Sequence, residues 1–229
     1  MKELIVVLTG AGISAESGIS TFRDSNGLWE NYAIDDVATP QAWKKDADLV
    51  TRFYNERRKQ VLSSAPNAAH RYLASLEDRY DVIIVTQNID DLHERGGSSD
   101  VLHLHGNITQ SKSSGPNCEK AYYPINGWEL TENDLCTDGY RLRPHVVWFG
   151  EEVPNLHKAA GLVSRADHLI VVGTSLNVYP AAGLIDYAKR SCRKFVIDPN
   201  AATLKVDGSF IKIHSTAVNS IEQLKTYFG

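Results

Sequence analysis

The chain has 229 residues, 42% of them hydrophobic and 23% charged, and carries a net charge of −4 at pH 7. That suits one large α/β domain, or a core domain with a smaller insert, and it is long enough to bury an apolar core without staples. The mild acidity excludes an overall basic footprint for nucleic acid, and no apolar run is long enough to span a bilayer. Cys118, Cys136 and Cys192 are an odd, sparse set that reads as reduced thiols. The opening run Leu4–Leu8 is too short for a secretory core, so a cytoplasmic protein is expected.

Leu4–Leu8 reads as a first strand. It feeds "GAGISA", in which Gly10, Gly12 and Ala15 match G-x-G-x-x-A before an expected helix. In a dinucleotide fold the first glycine allows a tight turn and the second lets backbone approach a pyrophosphate. The small third residue permits close helix packing, and the helix N-terminus faces the phosphates. The same letters also fit a tight strand-to-helix turn with no ligand. About 20 residues later, where a dinucleotide fold places a second strand ending in a ribose-binding acid, the chain reads "TFRDSNGLWENYAIDD". That is a loop composition, expected to lie over a ligand.

"DADLVTRFYNERRKQVL" has helical spacing, with Leu49, Val50, Phe53 and Val61 as its buried stripe. Tyr54 and Arg57 lie three residues apart on one face. Periodicity leaves two readings of Arg57. It is an exposed arginine beside Arg52 and Arg58, or a guanidinium that grips a carboxylate while the tyrosine hydroxyl adds a bond.

Pro66-Asn67 opens a helix with Ala69, Tyr72, Leu73 and Leu76 on one face. Strands follow at Val82–Val85, Val101–Leu104, His168–Val172, Phe195–Ile197 and Ile211–Ile213, and further helices at Asn155–Ala166, Ala181–Ser191 and Ala217–Phe228. Apolar strands alternating with helices predict a doubly wound, Rossmann-like parallel sheet covered on both faces. Two stretches break the alternation, 31–65 and 107–142. We expect them to pack together as a small second domain beside a core of residues 1–30, 66–106 and 143–229, with a ligand cleft between.

Polar residues at the C-terminal ends of parallel strands line such a cleft. Gln87, Asn88 and Asp90 follow one strand, and His105 sits at the tip of the next. A lone histidine is usually structural or solvated. One at a strand tip beside an amide–carboxylate cluster is equally a general base. His93, on a helix face, and His103 are weaker candidates.

Taken together, "GAGISAESGISTFR…GLW", "TQNIDDLH", "HLHG", "RPHVVWFGE" and "VVGTSLNVYPAA" resemble a sirtuin, an NAD-consuming protein lysine deacylase. The likeness spans nearly the whole chain. It implies that Gly10, Ala11, Gly12, Glu16, Thr21, Phe22, Arg23 and Trp29 surround NAD. Gln87, Asn88, Ile89 and Asp90 then serve the nicotinamide end and its ribose, and Gly173, Thr174 and Ser175 the phosphates and adenosine ribose. His105 falls on the family's catalytic base. In the family the acyl oxygen attacks the nicotinamide ribose, nicotinamide leaves, and the acyl group departs on ADP-ribose.

Tyr54 and Arg57 match the pair that marks the family branch removing succinyl, malonyl and glutaryl groups, often with acetyl activity retained. The resemblance makes residues 145–151 a strand edge along which the peptide lies, with Val147, Phe149 and Gly150 as contacts. It brings acyl-lysine proteins as partners, with a monomer expected and neither nucleic acid nor membrane.

The chain departs from the family in two places. The structural zinc of most members needs two Cys-x-x-Cys pairs, whereas residues 107–142 hold only Cys118 and Cys136, with Glu119 or Asp138 as poor substitutes. No zinc is expected, and Tyr122, Tyr123, Trp128 and Tyr140 are the expected packing of this degenerate module. In "FVIDPN", Asp198 stands where many members have asparagine. It still accepts from a ribose hydroxyl and disfavours a 2′-phosphate, and Thr216 or Ala217 would border the adenine. The rivals are a protein ADP-ribosyltransferase and a non-catalytic NAD sensor on the same fold.

Overall fold

In the computed structural model, which describes residues 2–20, the backbone of 28–29, and residues 32–116 and 121–229, strand β1 (Leu4–Thr9) leads into two 3-10 turns, Ala11–Ile13 and Ala15–Ser17. The ribbon β2 (Leu28–Trp29) and β3 (Tyr32–Ala33) precedes helices α1 (Ile34–Val37), α2 (Pro40–Lys45), α3 (Ala47–Ser63) and α4 (Ala68–Ser75). Next come β4 (Asp81–Thr86), α5 (Leu92–Arg95), β5 (Val101–His103), β6 (Gly106–Ser113), β7 (Tyr122–Pro124) and β8 (Leu142–Val146). Helix α6 (Leu156–Arg165), β9 (His168–Val172), a 3-10 segment Ala181–Tyr187, β10 (Arg193–Ile197), β11 (Phe210–Ile213) and α7 (Ile221–Phe228) follow.

Six strands form one parallel sheet in the order β11-β10-β9-β1-β4-β5. Ranked along the chain they lie 3-2-1-4-5-6, the dinucleotide-fold order, with its switch point between β1 and β9. Alternate residues explain why this sheet is buried on both faces. Val6, Leu8, Val171 and Val196 pack under α6 through Ala159 and Val163. Ile5, Val7, Ile84, Ile170 and Phe195 pack under α4 and α7 through Leu73, Leu224 and Phe228. Asn67 caps α4 by accepting the Ala69 amide at 2.9 Å, and donates from Nδ2 to the Ile13 carbonyl at 2.7 Å, which fastens the turns after β1.

The expected helix after the glycine loop is not there. Two 3-10 turns replace it, with Gly18 at φ 85° closing the second, so no α-helix dipole faces the loop. The expected helix Ala181–Ser191 is likewise a 3-10 segment, and the one expected from Ala217 begins at Ile221.

Residues 107–142 are more regular than their polar, turn-rich sequence implies. Strands β7-β6-β8 form an antiparallel sheet. In β6, "GNITQSKS", only Ile108 is apolar, although Ser111, Lys112 and Ser113 are also buried. Helix α3 lies on this sheet, its Val50, Phe53, Tyr54 and Val61 meeting Ile108, Val146 and Trp148.

The four aromatics named from sequence do not form one cluster. Tyr122 stacks on His145 at 3.8 Å between centroids, and Lys59 lies 5.1 Å from the Trp128 ring. Tyr140 closes over Gly115. The small core consists of Leu130, Cys136 and Leu142, with Tyr123 and Ile125 packed against it. Their interrupted spacing gave no period to read.

The segment is anchored by two buried polar side chains of α3. Asn55 donates to the Leu130 carbonyl at 2.8 Å and accepts the Leu130 amide at 3.0 Å. Arg58, fully buried, donates to the carbonyls of Ile108 at 2.6 Å and Trp128 at 2.8 Å and to Asn55 Oδ1 at 2.7 Å. Among the described residues no three His, Cys, Asp or Glu side chains converge as a metal site. Cys118 and Glu119 lie outside the described residues. Cys136 accepts a hydrogen bond from Ser113.

Replacing Arg58 with methionine keeps most of the volume but strips three acceptors of their donor in a dry interior. We expect Arg58→Met to lose about 3 kcal/mol in urea unfolding. A loss below about 1 kcal/mol would show that this anchor is dispensable.

Candidate active site

At the switch point the loops after β1 and β9 meet backbone to backbone. The Gly12 amide donates to the Gly173 carbonyl at 2.8 Å and the Gly10 amide to the Val172 carbonyl at 3.2 Å. A Cβ on Gly10 would lie 2.8 Å from Thr174 Cβ, and one on Gly12 would lie 2.7 Å from Gly173 Cα. Gly173 has φ 67° and would itself collide with Gly12 and Ile13 if it carried a side chain. All three glycines are therefore required by the crossing of two loops. A glycine at position 12 fits close approach of backbone to a pyrophosphate or a tight turn without ligand, and here a Cβ on it would meet the loop after β9.

Above this crossing lies a buried polar cluster. Asn88 Nδ2 donates to Ser14 Oγ at 3.1 Å, and Ser14 Oγ donates to Asp90 Oδ2 at 3.0 Å. Asp90 also accepts the Leu92 amide at 3.2 Å. Ser14 is fully buried, Asn88 and Asp90 nearly so. Burial raises the Asp90 pKa, and the bonds from Leu92 and Ser14 and the charge of His103 offset part of the rise. Gln87 donates to Thr174 Oγ1 at 3.1 Å, joining the β4 and β9 loops. Behind the cluster Thr9 Oγ1 donates to Thr86 Oγ1 at 2.8 Å, and Thr86 Oγ1 accepts the Asn88 amide at 3.0 Å. His93, almost fully buried in α5, reaches Thr9 Oγ1 from Nε2 at 3.0 Å.

His105 lies in the bend between β5 and β6 with Nδ1 3.0 Å from the Gln87 carbonyl oxygen. A carbonyl only accepts, so Nδ1 carries the proton and the neutral ring presents Nε2 as its basic nitrogen. Burial pulls its pKa below 6.5 and the Gln87 bond restores part of the loss, so the ring is neutral at pH 7. This arrangement provides a proton acceptor in fixed orientation at the strand tips.

The Tyr54–Arg57 pair faces inward. Tyr54 is fully buried and Arg57 is 5% exposed, which rules out the exposed-arginine reading. Burial drives the Tyr54 phenol well up, against smaller opposing effects of Trp148, Arg57 and Arg143, so it stays a hydrogen-bond donor. Trp148 is held by a clamp. Arg143 lies 3.7 Å over its ring, and Glu151 takes Arg143 Nη2 at 2.6 Å and the Trp148 amide at 2.8 Å.

That clamp corrects the expected strand over 145–151. Strand β8 stops at Val146 and the chain turns, with Gly150 at φ 89°. The Val147 amide donates to His105 O at 2.9 Å and the Phe149 amide to Ala38 O at 3.0 Å. With Trp148 on Glu151, three successive N–H groups are used internally, and the Trp148 carbonyl accepts the Glu151 amide at 3.0 Å.

The remaining sequence candidates scatter. Glu16 accepts from Thr216 Oγ1 at 3.1 Å and from the Val218 amide at 3.0 Å, tying the first loop to the C-terminal segment. Asp198 is 2% exposed and accepts the Asn200 amide at 2.8 Å in a turn after β10. Ile89 accepts the Ile108 amide at 2.8 Å. Ala11 and Ser175 are half-buried in the two crossing loops. Thr21, Phe22 and Arg23 lie outside the described residues, as does the side chain of Trp29.

The sequence profile of the Sir2 family matches residues 10–180. The chain belongs to the Sir2 family. It is 48% identical over 229 residues to an NAD-dependent protein deacylase of Bacteroides thetaiotaomicron, covering 98% of this chain and 97% of the relative. An NAD-dependent protein deacylase of Helicobacter pylori is 49% identical over 226 residues, covering 98% and 94%. A solved Sir2 homologue in complex with NAD superposes with TM-score 0.87 at 38% identity, covering 99% of this chain and 90% of that one.

Within this Sir2 fold the sequence reading missed Ser14, which joins Asn88 to Asp90. The signal was a small hydroxyl two residues after the second glycine, which the expectation of a helix there obscured. Asn67 and Arg58 were passed over because each also fits an ordinary role, as a cap or an exposed cation.

A nitrogen-resolved imidazole titration tests the His105 assignment. We expect the Nδ1–H tautomer at pH 7 and a second proton only below the ordinary 6.5. An Nε2–H tautomer, or protonation above 6.5, would overturn it.

Proposed function

We propose that this chain is an NAD-dependent protein lysine deacylase whose acyl pocket is built for dicarboxylic acyl groups, succinyl and malonyl above all, with acetyl also accepted. The observation that carries the chemistry is the basic Nε2 of His105, fixed by the Gln87 carbonyl at the strand tips. The one that carries the substrate class is Arg57, 5% exposed beside the fully buried Tyr54.

NAD suits the residues around the crossing loops. The glycines leave only backbone at the switch point, where doubly wound sheets take ligands. Asn88 and Asp90 are buried polar groups held in one orientation, the kind of site that binds a carboxamide and a hydroxylated sugar. When bound, NAD would supply the ribose carbon that parts from nicotinamide and takes the acyl oxygen, and water would then complete transfer of the acyl group to ADP-ribose and free the lysine amine.

In this reading Asn88 and Asp90 orient the nicotinamide end, and the low-dielectric setting strengthens Asp90 toward a developing positive sugar. His105 accepts a ribose hydroxyl proton at Nε2. Gly10, Gly12, Gly173, Thr174 and Ser175 approach the phosphates and adenosine ribose. Tyr54 donates its O–H to the acyl carboxylate, and Arg57 pairs with it through two N–H groups. The peptide lies along the Val147–Gly150 turn in strand-like pairing. The cleft between the parallel sheet and the α3–β6–β8 layer is the proposed meeting place, and the cytoplasm the proposed compartment.

Two variants test the parts separately. Ser14→Ala removes the bridge between Asn88 and Asp90; we expect NAD affinity by calorimetry to fall ten- to a hundredfold, since a buried bond to a charged group is worth about 1.5–3 kcal/mol. Affinity within twofold of the unaltered protein would exclude that role. On matched succinyl- and acetyl-lysine peptides, Arg57→Met should cost the succinyl substrate one to two decades in kcat/KM and leave the acetyl substrate within about threefold. His105→Ala should abolish turnover of both. Acetyl removal alone, indifferent to Arg57→Met, would keep the deacylase and discard the dicarboxylic substrate.

A further inference from the structure

His103 has no place in the chemistry above, yet it is the more heavily bonded of the two histidines in "HLHG". Its Nδ1 lies 3.0 Å from the Asn88 carbonyl oxygen and its Nε2 2.8 Å from Glu94 Oε1. Asn155 Nδ2 donates to the His103 carbonyl at 2.8 Å, fixing the strand tip from α6. Two residues on, His105 makes the same kind of bond to the Gln87 carbonyl at 3.0 Å. One histidine therefore holds each of two successive peptide units, and these units carry the Gln87 and Asn88 side chains.

We propose that the His103–Glu94 pair is a positioning device that grips the Gln87–Asp90 loop from behind and sets Asn88 for NAD. This rests on the reading of that loop as the NAD contact. Both acceptors of His103 are oxygens, one a carbonyl and one a carboxylate, so both ring nitrogens must donate and the ring is held as an imidazolium. Burial works against that charge, but the Glu94 bond and charge, the Asn88 bond and the charge of Asp90 outweigh it, and the pKa rises above 6.5. Other titratable groups also face the ring. His93 of α5 and His145 of β8 are both driven down by burial and stay neutral.

Loss of the His103 proton would turn an Nε2 lone pair toward the Glu94 carboxylate, and the grip on Asn88 would loosen. The charge state of a residue that never touches NAD would in this way set the geometry of one that does.

The test uses the full chain, NAD binding by calorimetry from pH 6 to 9, and imidazole titration. The unaltered protein should bind NAD progressively more weakly as pH rises through the His103 titration. In Glu94→Gln the amide N–H donates to a neutral His103 Nε2 while Nδ1–H still reaches Asn88. We expect NAD affinity within about threefold at pH 7, the alkaline weakening gone, and His103 titrating at lower pH. His103→Gln should weaken NAD binding about tenfold at pH 7 without an alkaline limb. A merely structural pair predicts equal losses at every pH. Glu94→Gln with the unaltered alkaline limb, or an unmoved His103 titration, would overturn the proposal. If His103→Gln fails to fold, the half-exposed Glu94 decides alone. Absence of NAD binding by the unaltered protein would overturn the functional reading and this proposal with it; normal binding with an unmoved His103 titration would overturn the proposal alone.

Discussion

The structure of the site depends on one close approach, that of the loop after β1 to the loop after β9. Parallel strands diverge in connection at the switch point, leaving a crevice where ligands bind in such sheets. Here Gly12 N–H meets the Gly173 carbonyl at 2.8 Å, and none of Gly10, Gly12 and Gly173 has room for a Cβ. Because the backbones touch, the crossing is made of peptide groups, and Ser14, two residues after Gly12, is fully buried beside it. That hydroxyl then finds Asn88 and Asp90, which arrive from β4. A methyl group at any of the three glycines would separate the loops and carry Ser14 away from its partners. The polar cluster is thus downstream of a packing constraint, as buried polar networks must be if every member is to be satisfied.

Electrostatics in the site follow from what lies on each side of the Gln87–Asp90 segment. Asp90 is buried and its pKa is raised, while His103 supplies positive charge nearby. His105, whose burial outweighs its bond to the Gln87 carbonyl, is pushed the other way and stays neutral. Two histidines, one at the end of β5 and one in the bend after it, bonded to adjacent carbonyls, therefore hold different charge states. The difference comes from Glu94, which reaches one ring and not the other. Pairs of titratable groups with environments that push them apart are the pattern expected where one must hold a charge and the other must move a proton.

How much of this was legible from residues alone depended on periodicity. The six parallel strands were readable because each is a short apolar run, "LIVVL" or "LIVV", with no competing helical period. The turns after β1 were not, since the G-x-G-x-x-A pattern reads as the start of a helix and the chain instead makes two 3-10 turns there. Strand β6 escaped because its buried residues include Ser111, Lys112 and Ser113, whose burial comes from neighbouring strands and α3. The end of β8 at Val146 is set by Glu151 capturing the Trp148 amide, a contact that no strand pattern encodes. His105, Asn88 and Asp90 were found because polar residues after apolar strands have few structural reasons to be there.

Helix α3 shows most plainly what tertiary context adds. Tyr54 with Arg57, and Asn55 with Arg58, are two pairs at the same three-residue spacing, one residue out of step and so about 100° apart around the helix. Sequence treats them alike. In the fold Asn55 and Arg58 turn toward β6 and the Trp128–Leu130 segment and are consumed by main-chain groups there. Tyr54 and Arg57 turn toward Phe53 and the clamped Trp148. The bonds to Leu130, Ile108 and Trp128 that anchor the two layers thus belong to the second pair. A buried arginine is costly to keep, and in the proposed reading the acyl carboxylate is the negative charge that Arg57 meets beside the buried phenol of Tyr54.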